Sequence, residues 1–170
     1  MKALSLWQPW ASAIALGAKR IETRHWATGY RGPLAIHAAK RLHRDELIHY
    51  ASCWNWCGAL GRAMGAKAPL WEVLPFGALV AVCRLVDCRP TGSFTLAELD
   101  APRHRARPGF DGPHYDWTER QMGDFALGRF GWVLDDIRAL PAPVPCKGMQ
   151  GLFEVPDALL AEYPEAQRCC

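Results

Sequence analysis

The 170-residue chain has no Walker-type phosphate loop, no G-x-G-x-x-G turn and no nucleophile elbow. ATP-dependent and serine-hydrolase chemistries are therefore disfavoured. No apolar run is long enough to span a bilayer, and the N-terminus lacks a basic region followed by a hydrophobic stretch and a small-residue cleavage site. A soluble, cytoplasmic protein with no membrane partner is expected. The seven cysteines are odd in number and their spacings make no disulfide framework, so most should be reduced thiols. Cys53 and Cys57 lie one helical turn apart with His43 and His49 upstream, but the spacing is wide for a zinc knuckle and no second pair follows. They read as core thiols, and no metal or other cofactor is expected. Cys169 and Cys170 form a tail pair prone to oxidation. Acidic residues are scarce in the first half: residues 1–85 hold eleven Lys and Arg against four Asp and Glu, whereas residues 86–170 hold nine against thirteen. A basic half favours a phosphate-bearing partner, although solubility alone accounts for it equally well.

What the chain does have is concentrated in LSLWQPWASAIALGAKRIETR, residues 4–24. Met1 to Leu6 reads as a strand, Gln8-Pro9 as a helix start with proline in the first turn, and Gly17 as the helix stop. Between Pro9 and Leu16 only Ser12 is polar, so this helix should be buried nearly all round. Its first amides still need acceptors and favour an anion or a carbonyl oxygen. The following strand alternates, with Ile21 and Thr23 on one face and Glu22 and Arg24 on the other. A small polar recess is expected where Lys19, Glu22 and Arg24 pass the helix start.

This segment resembles the activating signal cointegrator-1 homology (ASCH) domain through a G-x-K-x-x-E-x-R motif at Gly17, Lys19, Glu22 and Arg24. The preceding LSLWQPWA resembles the opening of stand-alone ASCH proteins. MGDFALGRFGWVLDDIR and PVPCKGMQGLFEV resemble the second half of the domain, so the likeness extends over most of the chain. It implies an α+β fold, a small mixed PUA-like β-barrel with flanking helices, and a cleft associated with RNA or nucleotides. A single domain over 1–170 agrees with the length.

After Arg24, HWATGYRG reads as a loop whose Trp26 or Tyr30 could stack on a base or cap the core. Pro33 to His37 is a strand, and residues 43–65 form a helical insertion covering the barrel. Gly77 to Cys88 is the clearest strand, with Arg84 either facing water or paired. Thr95 starts a short helix over Phe94 to Leu99, and residues 101–115 form a mobile basic loop, a nucleic-acid arm or a solvated spacer. Asp116 with Glu119 three residues on reads as a helix cap, with Gly123 as stop. Phe130 to Leu140 is a strand with Trp132 and Leu134 on one face and Val133 and Asp135 on the other, ending in a proline-rich turn. Arg129 is a candidate partner for Asp124 or Glu119. Ala142 to Gly151 is an irregular loop presenting Lys147 and Gln150, Leu152 to Val155 a last strand, and Asp157 to Glu162 a terminal helix.

Two functions fit. In the first, the domain recognises RNA or a modified nucleoside: Gln8 meets a base edge, Trp7 or Trp10 stacks, and Lys19, Arg24, Arg129, Lys147 and Gln150 contact the ligand. In the second, the resemblance implies an amidohydrolase acting on N4-acylcytidine-type nucleosides, with Lys19 as the central catalytic group. Deacylating members have a threonine where this chain has Glu22, so Glu22 or Glu119 would have to position water or donate to the leaving amine. Glu119 cannot do this and cap a helix with one rotamer.

Overall fold

The computed structural model describes residues 1–41, 60–61, 64–65, 70–101 and 118–162. Nearly all of the expected insertion at 43–65 with its Cys53 and Cys57, the basic loop at 101–115 beyond Ala101, Asp116 and the Cys169–Cys170 tail lie outside the described residues. Among those described, six strands form: β1 Lys2–Leu6, β2 Ile21–Arg24, β3 Gly32–Ala38, β4 Ala78–Pro90, β5 Phe130–Pro145 and β6 Leu152–Glu154. The helices are α1 Trp10–Ala15, α2 Leu70–Val73 and α3 Leu96–Asp100. No helix of the described residues is long and apolar enough to cross a membrane.

The strands make one sheet in the order β2-β5-β4-β3-β1-β6. All neighbours are antiparallel except β1 and β3, which run parallel. Register shifts interrupt the β4–β5 ladder three times and the β3–β4 ladder once. Each such irregularity bends and twists its strand, so the sheet curls into a half-barrel. Period-two alternation then divides its side chains. Leu4, Leu6, Leu34, Ile36, Leu85, Trp132 and Leu134 gather with Ala11 and Ile14 of α1, while Ala3, Ala35, Leu79, Val82 and Phe153 gather on the other face with Val155 and Leu160. The expected split of Trp132 and Leu134 from Val133 and Asp135 holds: the first two are buried and Asp135 is exposed. The result is a small α+β PUA-like half-barrel.

Curling brings the edges together. β6 begins opposite Leu4, so its pairing with β1 stops short of Ser5, and Arg24 at the end of β2 donates from Nη2 to the Ser5 carbonyl at 2.7 Å. A charged donor to a backbone oxygen is among the stronger hydrogen bonds.

Several boundaries differ from the expectation. α1 is capped by Pro9, which therefore precedes the first turn, and Gly17 ends it with φ of 73°. β5 continues to Pro145 through the stretch expected to turn, and the start of the 142–151 loop is therefore strand. Pro141, Pro143 and Pro145 alternate, so their missing donors fall on one side of the strand. Cys146 N–H bonds Gly77 O on the β4 side, and β2 covers the opposite side only as far as Val133. The prolines thus interrupt no ladder. The terminal helix is a 3-10 turn over Asp157–Leu160. Thr95 does start α3, exchanging hydrogen bonds with Glu98 as a capping box. Trp26 meets Trp132 edge to face at 4.6 Å, and the Tyr30 hydroxyl bonds Pro33 O; both rings cap the core. Arg84 faces water.

Candidate functional site

Where the closed edge meets the start of α1, a cleft of about 390 Å³ opens. One wall is Leu6, Trp7 and Trp10, a second is Glu22, Thr23 and Arg24 of β2, and a third is the turn Gln121 to Asp124 with Arg129. Trp7 is 42% exposed at the mouth. β2 can offer polar groups here because its Ile21 packs behind it against Phe94 and Leu99.

The motif charges form a ladder. Glu22 Oε2 lies 3.5 Å from Lys19 Nζ and its Oε1 lies 3.3 Å from Arg24 Nε. Lys19 is completely buried, and its ammonium also donates to Ile21 O and, at 2.9 Å, to Met122 O. Two carbonyl acceptors and a carboxylate at ion-pair distance thus surround the ammonium, which is what makes burying it tolerable. Lys19 lies behind Glu22 and does not line the cleft.

Glu119 occupies the same hidden layer. It is wholly buried and accepts hydrogen bonds from Arg20 N at 2.7 Å and Ile21 N at 3.0 Å. Thr118 caps the Glu119–Met122 turn, with Gln121 answering its amide, while the expected cap, Asp116, lies outside the described residues. The peptide stretch that enters β2 is gripped by two buried side chains, the Ile21 carbonyl by Lys19 and the Arg20 and Ile21 amides by Glu119. Thr23 adds two links, taking the Asp124 amide on Oγ1 at 3.0 Å and Arg129 Nη2 on its carbonyl at 3.4 Å. The third wall is held to the motif strand throughout.

Arg129 pairs with Asp124, Nε to Oδ2 3.3 Å, rather than with Glu119. The buried Nε groups of Arg24 and Arg129 sit beside carboxylates yet make no aligned hydrogen bond.

Two expectations about the helix start fail together. Gln8 is buried outside the cleft, its Oε1 accepting Ser12 N–H and its Nε2 donating to Ser12 Oγ and Pro75 O. It satisfies the helix instead of meeting a base. Ala11 and Ala13 amides bond Trp7 O and Pro9 O and the Ser12 amide bonds Gln8 Oε1, so these three α1 amides are not open to an anion. Of the anticipated ligand residues, Trp7, Trp10, Arg24 and Arg129 share the cleft with Glu22, while Lys147 and Gln150 are exposed on the loop before β6, outside it. Gln121, Gly123 and Asp124 were not anticipated as lining; the likeness of MGDFALGRFGWVLDDIR to the domain's second half pointed to the segment of the last two, and Gln121 lay in the stretch read as a helix start. Among the described residues no three His, Cys, Asp or Glu side chains group as metal ligands.

The ASCH domain family model matches residues 4–127. Activating signal cointegrator 1 from Homo sapiens and from Mus musculus is in each case 36% identical over 86 residues, covering 50% of this chain and 14% of the relative. The chain therefore corresponds to a small part of those proteins. The family match takes in well over half of the residues, the gripped motif strand among them, and the chain belongs to the ASCH domain family.

Proposed function

We propose that the cleft receives a single nucleobase, carried by RNA or by a modified nucleoside. The observation that carries this reading is the juxtaposition of a half-exposed indole, Trp7, with the acceptor Glu22 and the donors Arg24 and Arg129 in a recess of about 390 Å³. An indole face accepts any base by stacking, at about 1–3 kcal/mol per base. A carboxylate accepts from an exocyclic amine, and guanidinium groups donate to ring carbonyls and nitrogens. The kinship of ASCH domains to RNA-binding domains supports the same assignment.

Hydrolysis of an N4-acylcytidine-type amide is the alternative. Its central group, Lys19, is fully buried outside the cleft lining and donates to two backbone carbonyls, which favours recognition over proton transfer. Tryptophan fluorescence titrations with the four ribonucleosides, N4-acetylcytidine and short single-stranded RNAs test the reading. Saturable quenching that Trp7→Ala and Glu22→Gln each weaken at least about fivefold is expected, from the loss of one stacking or charged contact. Absence of binding to every probe refutes it. Release of acetate from N4-acetylcytidine, lost in Lys19→Ala, promotes the hydrolase.

A further inference from the structure

Away from the cleft, one titratable ring is sealed beneath a loop. His37 of β3 is 1% exposed; its strand neighbours are Ser5 on β1 and Leu79 on β4, and the Phe153 ring meets it edge to face at 6.0 Å. Its Nε2 stands 3.0 Å from the Cys146 carbonyl and its Nδ1 3.1 Å from Ser5 Oγ. A carbonyl only accepts, so the proton sits on Nε2 and Nδ1 accepts from the serine hydroxyl. The neutral ring is thereby satisfied at both nitrogens. The chain then crosses directly over it: a β-carbon on Gly148 would lie 2.3 Å from His37 Cε1 and 2.7 Å from Ser5 Oγ. Only glycine lets the loop close this far.

The loop has firm ends and a lightly held middle. Cys146 N bonds Gly77 O at one end, and β6 pairs with β1 from Leu152 onward at the other. Among the described residues, His37 is the one sheet side chain that bonds the loop, and Met149 within it is 60% exposed. Glycine at 148 and at 151, the second with φ of 71°, leaves the backbone there free to turn.

A proton on His37 spoils this fit. Nδ1 becomes a donor facing the hydroxyl it used to receive, so Ser5 must turn its own proton elsewhere. The charge also meets no carboxylate. On the elements packed around the ring, the titratable and charged groups are the Cys146 thiol and Lys147 on the loop, Lys2 on β1 and Glu154 on β6; the adjoining Ala78 to Ala81 of β4 bring none. Lys2 and Glu154 pair with each other at 2.6 Å, and alternation sets them on the opposite face from Ser5 and Phe153. Burial raises the Cys146 pKa, so the thiol lends no negative charge. Burial likewise holds the imidazole below 6.5, with the bond to the Cys146 carbonyl pulling the other way. Lifting the loop admits water and restores the ordinary value, which links proton uptake to opening.

We infer that loop 146–151 is an acid-released strap: neutral His37 holds it against the sheet, and the protonated ring lets it go. The strap is independent of what the cleft binds. With the closed loop admitting no proton, the open population grows by up to about tenfold between about pH 7.5 and about pH 5.5, the interval that spans 6.5.

NMR of the full chain tests this. Over that interval the contact between Gly148 Hα and His37 Hε1 should weaken, and the open population read from relaxation dispersion at residues 147–151 should rise by up to that factor. The Trp132 indole proton, bonded to Trp26 O in the core, should keep its shift throughout. His37→Gln should abolish the pH response of the loop. Gly148→Ala, which wedges a methyl beneath the strap, should open it at every pH and return the His37 titration toward 6.5. The strap is overturned by a protonated His37 with the Gly148 contact intact, by an open population that ignores pH, by the same response in His37→Gln, or by opening that occurs only as Trp132 is also lost. The wild-type titration decides the matter even where a variant fails to fold.

Discussion

Replacing Lys19 with methionine tests the central physical argument. Methionine matches the length of the lysine stem but donates nothing, so Ile21 O and Met122 O lose their buried donor and Glu22 keeps only Arg24. Each stranded buried carbonyl costs about 1–3 kcal/mol, and breaking one side of a buried ion pair costs about 3–5 kcal/mol; the two descriptions overlap and do not add. A loss of about 4 kcal/mol is expected, a large share of the roughly 5–15 kcal/mol that holds a domain folded. At about 2–4 °C per kcal/mol for a chain of this size, the melting temperature should fall by about 8–16 °C. Swapping a whole buried pair for apolar groups is often neutral, but here the acceptors stay behind, which decides the sign. Urea unfolding followed by tryptophan fluorescence measures the loss, and a double-mutant cycle with Glu22→Gln isolates the pair. Glu22→Gln alone should cost less, since its contacts are 3.3 and 3.5 Å while Lys19 to Met122 O is 2.9 Å. A loss below about 1 kcal/mol in Lys19→Met would mean that these bonds are no better than those made with water in the unfolded chain.

Glu119→Gln leaves one carboxamide oxygen for two amides, so one of Arg20 N and Ile21 N should lose its acceptor, at about 1–3 kcal/mol, with faster hydrogen exchange confined to that stretch. Gly148→Ala drives a methyl into His37 and Ser5 and should destabilise by about 1–3 kcal/mol; a neutral result would show that the loop relaxes freely. Burial lowers the His37 pKa from 6.5 while its bond to Cys146 O opposes this, so the unfolded chain binds the proton first. That stabilisation is full above pH 6.5 and is lost as pH falls toward the folded value; His37→Gln should flatten the stability profile there. Glu98 is held at about 2, first by the Thr95 amide, then by Arg89 and the Thr95 hydroxyl. Thr95→Ala removes only the hydroxyl and leaves the amide and Arg89, so the carboxyl should rise only part of the way toward 4.5 in an NMR titration while the helix loses about 1 kcal/mol of capping; unchanged stability would refute the cap.

The strand, helix and strand of the opening, the alternation about Trp132 and the Thr95–Glu98 cap were legible because each is a short-range pattern with a fixed period or spacing. Motif residues Lys19, Glu22 and Arg24 were also legible as one polar group, since they are neighbours on a single strand entrance. What the sequence could not reveal was which polar side chains are spent within the fold. Gln8 is consumed by Ser12 and a carbonyl 67 residues away, Glu119 by amides 98 and 99 residues away, and Lys19 by a carbonyl 103 residues away. Such partners leave no local periodicity, because they meet only after the bulged sheet has curled. The sequence by itself determined the motif strand and the two layers of its sheet. Tertiary structure decided that Lys19 and Glu119 grip that strand from behind while Trp7, Glu22, Arg24 and Arg129 face the cleft, since a buried polar group must take whatever partner the curled sheet brings within reach.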